Sequence, residues 1–197
     1  GGTQPSGLRA CFLVDQPPDL LAWENFIDVH PTNTDLGQVH QKGGPSGSAG
    51  GFASLPPLIQ LGAKKGKFYF GWHDLSGSVN NVVDIRRDYN LANLNDMKEK
   101  WTDVSFCLNY IDKRMDVWLN GKKKHEILKS PVNFIPEKTY FKFGIYRSFI
   151  KRFKDRQKMR NKEEKMPTQI VYYDEIRRGN SIKEVDFNIN PQLKVID

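Results

Sequence analysis

Apolar side chains recur at every second position in several short stretches of the chain, and this spacing constrains the fold more than any other feature of the sequence. A period of two places alternating side chains on one face of a β-strand. The apolar residues expected to face inward are Phe68, Phe70 and Trp72, then Val104, Phe106 and Leu108, and then Met115, Val117 and Leu119. Many short strands with frequent turns predict an all-β protein, an antiparallel sandwich or jelly roll.

Ten segments are predicted to be strands from their alternation and from the turn residues between them. They are Leu8–Val14, Ala22–Val29, Leu36–Lys42, Pro57–Leu61, Lys67–Asp74, Asn81–Arg86, Trp101–Ile111, Arg114–Leu119, Thr139–Arg147 and Thr168–Arg177. The Asn120-Gly121 pair is a strong signal for a tight β-hairpin. Pro31–Asp35 is predicted to be a turn, and the Gly/Ser-rich run Gly43–Ser54 is predicted to be a mobile loop.

Two segments are predicted to be helical, the short Leu91–Lys100 and the longer Ser148–Lys165. The second carries most of the excess positive charge, because Lys151–Lys165 contains eight Lys or Arg against three Asp or Glu, a surplus of five in a net charge of +7. Charge confined to one segment disfavours a nucleic-acid binder. Two interpretations of this basic segment stay open: it folds over a groove and attracts a polyanion, or it is a solvated insertion without a role.

The length and the cysteine count set further bounds. A chain of 197 residues suits one domain, taken here as residues 1–197. Its two cysteines, Cys11 and Cys107, allow either one disulfide or two free thiols. The sequence has no apolar run that approaches the length of a membrane-spanning helix.

The predicted strand Thr139–Arg147 has an unusual polar face. One of its faces is apolar and is expected to join the core: Phe141, Phe143 and Ile145. The other sets two phenols and an ammonium group in a row: Tyr140, Lys142 and Tyr146. Gly144 lies between them and lets a ligand approach the backbone closely. A cation beside a phenol also lowers the pKa of a tyrosine, which suits acid–base chemistry.

The predicted strand Leu36–Lys42 presents a second polar face, with Gln38, His40 and Lys42 at alternate positions. Taken singly, each of these residues has an ordinary explanation, since a lone histidine is more often a surface residue and lysines protect edge strands. Tyrosines are enriched in strands in any case. The coincidence of two such faces favours a functional groove.

Three motifs in this order resemble those of jelly-roll polysaccharide lyases. Gln38-Val39-His40 resembles their Gln-x-His motif, and the sequence of 140–146 resembles the Tyr-Phe-Lys-x-Gly-x-Tyr strand of the same enzymes, which include alginate lyases. The stretches 101–121, which ends in Val-Trp-Leu-Asn-Gly, and 171–177 are similar to glucuronan lyase and heparin lyase I. The resemblance runs from about Leu8 to Arg178 and implies a concanavalin-like β-jelly roll of two antiparallel sheets, with a short basic helical insertion.

The resemblance implies cleavage of a uronic-acid polysaccharide, such as glucuronan or alginate, by β-elimination. Gln38 then binds the uronate carboxylate, His40 acts as the base, and Tyr146 protonates the leaving oxygen, although in some relatives the tyrosine is both base and acid. The further residues expected to bind substrate are Arg9, Lys42, Tyr69, His73, Arg86, Tyr140 and Lys142.

One position departs from the family pattern. These enzymes carry Arg-Ser/Thr-Glu on an early strand, whereas this chain has Arg9-Ala10-Cys11, which keeps the arginine and lacks the glutamate. The departure leaves open whether activity is changed or lost, so the alternative function is a non-catalytic carbohydrate-binding jelly roll.

The resemblance also carries expectations about partners and location. The partner is an anionic polysaccharide, not nucleic acid or a membrane, and the protein is a monomer that is secreted or periplasmic. No cofactor is required and no residue spacing suggests a zinc site, while a structural calcium ion, with Asp174 as a ligand, stays open.

Overall fold

The computed structural model describes residues 6–15, 34–42, 56–64, 66–78, 81–97, 100–109, 114–128, 138–147, 154–155, 170–179, 181–186 and 188–190. The strands are β1 (Ser6–Asp15), β2 (Thr34–Lys42), β3 (Ile59–Lys64), β4 (Lys67–Ser78), β5 (Asn81–Asn93), β6 (Trp101–Asn109), β7 (Arg114–Leu119), β8 (Lys122–Ile127), β9 (Lys138–Arg147) and β10 (Ile170–Gly179). Two helices of one turn each are α1 (Leu94–Met97) and α2 (Ile182–Val185).

The strands form two five-stranded sheets. The first, called the back sheet, has the order β10-β1-β6-β7-β8, and the second, called the front sheet, has the order β5-β4-β3-β2-β9. Neighbouring strands in both sheets run antiparallel. The predicted all-β jelly roll is therefore confirmed.

The core lies between the sheets and consists of the predicted alternating residues. Every one of the nine inward-facing side chains named from β4, β6 and β7 is buried. Phe70 of the front sheet meets Phe106 of the back sheet with ring centroids 5.7 Å apart. Because these side chains face the core, the residues that alternate with them in each strand face away from it.

The hairpin is confirmed, but the strand that follows it was missed. Asn120 and Gly121 both have positive φ, 49° and 72°, as a tight turn between β7 and β8 requires. The sequence of β8, Lys-Lys-Lys-His-Glu-Ile, has no apolar alternation, so its pairing with β7 could not be predicted from pattern.

Two other predicted boundaries are wrong. β5 continues to Asn93, and the predicted helix Leu91–Lys100 shrinks to the single turn of α1 because ladder pairing with β4 extends to Asn93. β2 begins at Thr34, inside the predicted turn Pro31–Asp35, so Asp35 is a strand residue.

Several predictions lie outside the described residues. These are the strand Ala22–Val29, the whole of the loop Gly43–Ser54, and the helix Ser148–Lys165 except residues 154–155, which are helical. The described part does answer the question about cysteines, since Cys107 carries a free thiol. Among the described residues no helix is long and apolar enough to cross a membrane.

The prediction for the apolar face of β9 is wrong in part. Phe141 packs against the core, but the side chains of Phe143 and Ile145 are 54% and 40% exposed. Among the described strands, β9 lies at the edge of the front sheet and has β2 as its one neighbour. Phe143 still lies on the Phe141 side of the strand, with its ring 6.2 Å from that of Phe141 and 5.5 Å from that of Tyr173 in β10.

This contrast predicts the energetics of two matched truncations. Phe70→Ala removes a fully buried ring and is expected to lower the free energy of unfolding by about 3–5 kcal/mol. Phe143→Ala removes a ring that is more than half exposed, so its cost should be clearly smaller. Urea denaturation of both variants measures the difference. Equal losses would contradict the assignment of Phe143 to the sheet edge.

Candidate functional site

The outer face of the front sheet, opposite the core, carries a row of polar side chains from β2 and β9. The two strands are neighbours, and their paired residues are Gln38 with Lys142, His40 with Tyr140, and Asp35 with Tyr146. Directly paired residues of antiparallel strands point to the same face. These six residues are called the polar row. The pairing therefore brings the predicted Gln38, His40 and Tyr146 onto two adjacent strands of one face.

A β-bulge in β2 places Asp35 in this row. Gly37 pairs with Leu61 and Asp35 with Gly62, so β2 uses one residue more than β3 between these pairs. The extra residue is Leu36, which is buried in the core. Because an inserted residue reverses the alternation, Asp35 and Gln38 face the same way although they are an odd number of positions apart.

A second bulge in β9 keeps Tyr146 in register with Asp35. Phe143 pairs with Gly37 and Tyr146 with Asp35, so β9 uses three steps where β2 uses two. Gly144 lies in this bulge with a φ of +132°, a conformation that favours glycine. A side chain at this position would be strained, which explains the glycine in the strand.

The phenol of Tyr173 in the back sheet ties the two bulges together. Its hydroxyl donates a hydrogen bond of 3.1 Å to the backbone oxygen of Leu36. Its oxygen also accepts a hydrogen bond from the Gly144 backbone, which lowers the pKa of the phenol against the larger effect of burial, so that the pKa of Tyr173 is raised to about 12. The Tyr173 hydroxyl therefore stays protonated at neutral pH and can donate its hydrogen bond to Leu36.

The carboxylate of Asp35 is the centre of the site. Its side chain is 1% exposed and accepts three hydrogen bonds: from Gln38 Nε2 at 2.8 Å, from Gln60 Nε2 at 2.9 Å and from the Tyr69 hydroxyl at 3.2 Å. Burial raises the pKa of the carboxyl, against the lowering effect of the hydrogen bonds from Gln38 and Tyr69 and of the nearby charges of Arg86 and His73. An acceptor-only carboxylate suits three donors.

His40 is held by Gln38 and Tyr140. Its Nε2 lies 3.2 Å from Gln38 Oε1, and its ring stacks on that of Tyr140 at a centroid distance of 5.7 Å. Because an amide oxygen only accepts, the hydrogen of the neutral ring is on Nε2 and the lone pair is on Nδ1. Burial lowers the pKa of His40, and the charges of Lys142 and His73 lower it further.

Lys142 lies over the face of Tyr140, with its Nζ 5.3 Å from the ring centroid. This cation–π contact places the ammonium group on the ring that stacks with His40. The sequence places Lys142 between two phenols on one strand face, Tyr140 and Tyr146, and the structure shows its contact with Tyr140.

A second set of polar residues continues the network across β4 and β5. His73 Nδ1 is 2.9 Å from each carboxylate oxygen of Asp84, and its Nε2 is 3.2 Å from Gln60 Oε1. Arg86 donates to the Tyr69 hydroxyl at 2.9 Å and to Asp88 at 2.9 Å. These contacts extend the hydrogen-bond network from β2 across β3, β4 and β5 on the same side of the front sheet.

The structure places the predicted substrate-binding residues in four different positions. Tyr140 and Lys142 lie in the polar row, while Tyr69, His73 and Arg86 belong to the hydrogen-bond network that supports it. Lys42 lies on β2, but its side chain is outside the described part.

The placement of Arg9 in the site is wrong. Arg9 belongs to β1 in the back sheet, where it pairs with Arg177 and Ser105. The early strand that carries the arginine is therefore separated from the polar row by the core.

Three polar residues of the site were missed. Asp35 fell in a predicted turn, and no pattern signals the bulge that turns it toward Gln38. Asp84 alternates with apolar residues as an ordinary exposed strand residue does. Gln60 could have been found, because it stands between Ile59 and Leu61 as the one polar side chain in an otherwise apolar run.

The described residues contain no group of three or more His, Cys, Asp or Glu side chains placed to hold a metal ion. Asp174, the suggested calcium ligand, is an exposed residue of β10.

Comparison with solved structures gives similar folds in two kinds of protein. The endo-β-1,4-glucuronan lyase of the fungus Trichoderma reesei superposes with a TM-score of 0.64 at 15% identity, over 93% of this chain and 71% of that one. Alginate lyase AlyC3 superposes with a TM-score of 0.55 at 16% identity, over 89% of this chain and 64% of that one. The chain thus spans less than two thirds of the alginate lyase.

The fold is shared beyond lyases. The binding domain of botulinum neurotoxin serotype D superposes with a TM-score of 0.51 at 16% identity, over 96% of this chain and 37% of that one. At such identities the likeness concerns the fold. In sequence, the profile of the family described as "Polysaccharide lyase" matches residues 22–177, while a search of curated proteins finds no match.

The electrostatics of His40 can be tested directly. Its ring should titrate below the ordinary value of 6.5, because burial and two nearby cationic groups disfavour the imidazolium. Lys142→Met removes one of those charges and should move the midpoint upward. The midpoint is measured by NMR titration of the His40 ring signals, assigned with a His40→Asn variant.

Lys124→Met is the matched control, since Lys124 is an exposed residue of β8 in the back sheet. It should leave the midpoint of His40 unchanged. A midpoint above 6.5 in the parent, or an equal shift in both variants, would contradict the proposed environment.

Proposed function

The chain belongs to the polysaccharide lyase family, and we propose that it cleaves a polysaccharide containing uronic acid by β-elimination. The observation that carries the proposal is the pairing of the Gln38/His40 face of β2 with the Lys142/Tyr146 face of β9. Solved structures with this fold include an endo-β-1,4-glucuronan lyase and an alginate lyase with bound dimannuronate.

The reaction requires three groups at one sugar ring. One group must stabilise the negative charge that develops on the uronate when the C5 proton leaves. A base must remove that proton, and an acid must protonate the leaving O4. The bond from C4 to O4 breaks as the C4–C5 double bond forms, so neither an oxidant nor a reductant takes part.

His40 is the proposed base. The hydrogen on Nε2 points to Gln38, so the lone pair on Nδ1 is the one that can accept the C5 proton. Its lowered pKa keeps the ring neutral near neutral pH, which a base requires. Stacking on Tyr140 fixes the plane of the ring.

Gln38 and Lys142 are the proposed partners of the uronate carboxylate. An amide has two N–H groups, and Gln38 directs one of them to Asp35, so the other can donate to the substrate. Lys142, paired with Gln38 across the two strands, adds a positive charge. Together they offset the charge that grows on the uronate in the transition state.

Tyr146 is the proposed acid. Its side chain is 59% exposed on the outer face. It lies at one end of the polar row, and Tyr140 lies at the other end. The phenol can donate its proton to the leaving O4. His40 lies at the Tyr140 end of the row, so the mechanism requires that Tyr146 and His40 approach one sugar ring when the polymer is bound.

The remaining expectations follow from the chemistry of the substrate. We propose a secreted or periplasmic location, because a polysaccharide is too large to reach an enzyme in the cytoplasm, and we keep the expectation of a monomer. β-Elimination with an acid, a base and a charge-stabilising group needs no cofactor. The basic segment Lys151–Lys165 follows β9 in sequence and would favour the approach of a polyanion.

The activity itself is tested with three polymers. Glucuronan, alginate and heparin are incubated separately with the protein, and the ultraviolet absorbance of the C4–C5 double bond is followed. A rise with one of them is the expected result. Binding of a polymer without any rise in absorbance would favour the non-catalytic carbohydrate-binding module.

Tyr146→Phe tests the assignment of the acid. The substitution removes the hydroxyl and keeps the ring, so the turnover number should fall by about a hundred- to ten-thousandfold while KM changes little. Tyr172→Phe, at an exposed tyrosine of the back sheet, is the matched control and should retain the parent rate. Normal turnover of Tyr146→Phe on a polymer that the parent cleaves would end this mechanism.

A further inference from the structure

We propose that Asp35 is a positioning residue that sets the tautomer of His40 through the side-chain amide of Gln38. The inference rests on the proposed function in taking His40 as the base. Its structural content is independent of activity: without the Asp35 carboxylate, nothing in the described contacts decides which end of the Gln38 amide faces the histidine.

The orientation of Gln38 follows from its two contacts. Its Nε2 donates to Asp35 Oδ2 at 2.8 Å, and the carbonyl oxygen is thereby turned toward His40 Nε2 at 3.2 Å. A carboxylate only accepts, so the amide end with hydrogens must face it. The hydrogen of the neutral imidazole is then drawn to Nε2, and the lone pair is left on Nδ1.

Asp35 is itself oriented by groups on two other strands. Gln60 Nε2 of β3 donates to the same oxygen, Oδ2, at 2.9 Å, and the Tyr69 hydroxyl of β4 donates to Oδ1 at 3.2 Å. Arg86 donates to the oxygen of Tyr69, which directs the phenol hydrogen toward Asp35. Both carboxylate oxygens are therefore held by groups other than Gln38, and their positions do not depend on Gln38.

Gln60 is oriented from its far side in the same way. His73 Nε2 lies 3.2 Å from Gln60 Oε1, and the Asp84 carboxylate faces His73 Nδ1. Both ring nitrogens thus face acceptors, which fits donation by His73 at Nε2 and turns Gln60 Nε2 toward Asp35. Hydrogen bonds are therefore donated from His73 through Gln60 to Asp35 on one side, and from His40 through Gln38 to Asp35 on the other. The Asp35 carboxylate is the acceptor at which the two series meet.

The absence of a side chain at Gly62 leaves room for the Asp35 carboxylate. A Cβ atom on Gly62 would lie 2.9 Å from Asp35 Oδ1 and 2.7 Å from the Tyr69 hydroxyl, so a larger residue would displace the contact between them. The cradle is formed by Asp35, Gln60, Gly62 and Tyr69 and is inaccessible to solvent at Asp35. Burial of a carboxyl at this position raises its pKa, so the carboxylate is retained against a desolvation cost.

Loss of the carboxylate should release the amide. Gln38 can then rotate and present Nε2 to His40, which accepts through Nε2 only when its hydrogen is on Nδ1. In that tautomer Nδ1 has no lone pair for the C5 proton. The defect is expected mainly in the turnover number, because the base loses its lone pair while Lys142, the charged partner of the substrate carboxylate, is unchanged.

The experiment compares Asp35→Leu with Asp35→Asn. Leucine has the same branched shape, with two larger methyl groups in place of the oxygens, and no acceptor, whereas asparagine keeps one oxygen that can accept from both Gln38 and Gln60. Asp35→Leu should lower the turnover number by about ten- to a hundredfold, by analogy with the loss of a hydrogen-bonding group that orients a metal-bound histidine. Asp35→Asn should retain most of the parent rate. Asp116→Leu, in the back sheet, removes a carboxylate that binds Arg114 and Lys123 and should leave the rate unchanged.

A spectroscopic measurement tests the tautomer without any substrate. The ¹⁵N chemical shifts of the His40 ring, recorded at a pH above its pKa, distinguish hydrogen on Nε2 from hydrogen on Nδ1. The parent and Asp35→Asn should show the Nε2–H form, and Asp35→Leu should show a shift toward the Nδ1–H form. If Asp35→Leu does not fold, Asp35→Ala, which cannot overlap its neighbours, takes its place.

The outcomes separate the two proposals. A parent that is inactive on all three polymers but shows the expected tautomer change refutes the proposed function and supports the role of Asp35. An active parent whose Asp35→Leu variant keeps both the Nε2–H tautomer and the parent turnover number overturns the role of Asp35. A loss confined to KM or to the free energy of unfolding overturns it as well.

Discussion

The buried carboxylate of Asp35 is the interaction on which the polar face of the front sheet depends. Removing an ionised group from water is costly unless hydrogen bonds replace its hydration. Here the replacement comes from three donors on three strands, β2, β3 and β4. A single desolvated charge therefore fixes the relative positions of side chains that the sequence scatters over some thirty-five positions, from Asp35 to Tyr69.

The two bulges explain how such a cluster arises in a sheet. A regular strand alternates strictly between core and surface, so Asp35 and Gln38 would point to opposite sides. One extra residue in β2 brings them together, and the compensating bulge at Gly144 keeps Tyr146 beside them. Tyr173 binds the backbone of both bulges, so the back sheet stabilises the irregularities that shape the face of the front sheet.

Sequence reasoning succeeded where the physics is periodic and failed where it is not. The alternation of Phe68, Phe70 and Trp72 follows from burial of one strand face, and the Gln38/His40 and Tyr140/Lys142 faces follow from the same rule. Asp35 could not be found in this way, because the bulge at Leu36 reverses the alternation and the apolar spacing alone does not show where the reversal falls. The exposure of Phe143 depends on the position of β9 at the sheet edge, and strand order is a long-range property that local pattern does not contain.

The pairing of β2 with β9 also has a consequence for the order of folding. β3, β4 and β5 are joined by short turns, whereas Gln38 and Lys142 are 142 − 38 = 104 positions apart and must close a long loop before they meet. Closing a long loop costs more entropy than forming a hairpin, so local contacts form sooner. Most of the strand content can therefore be present while the polar row is still unassembled, and catalytic activity is a later marker of refolding than circular dichroism.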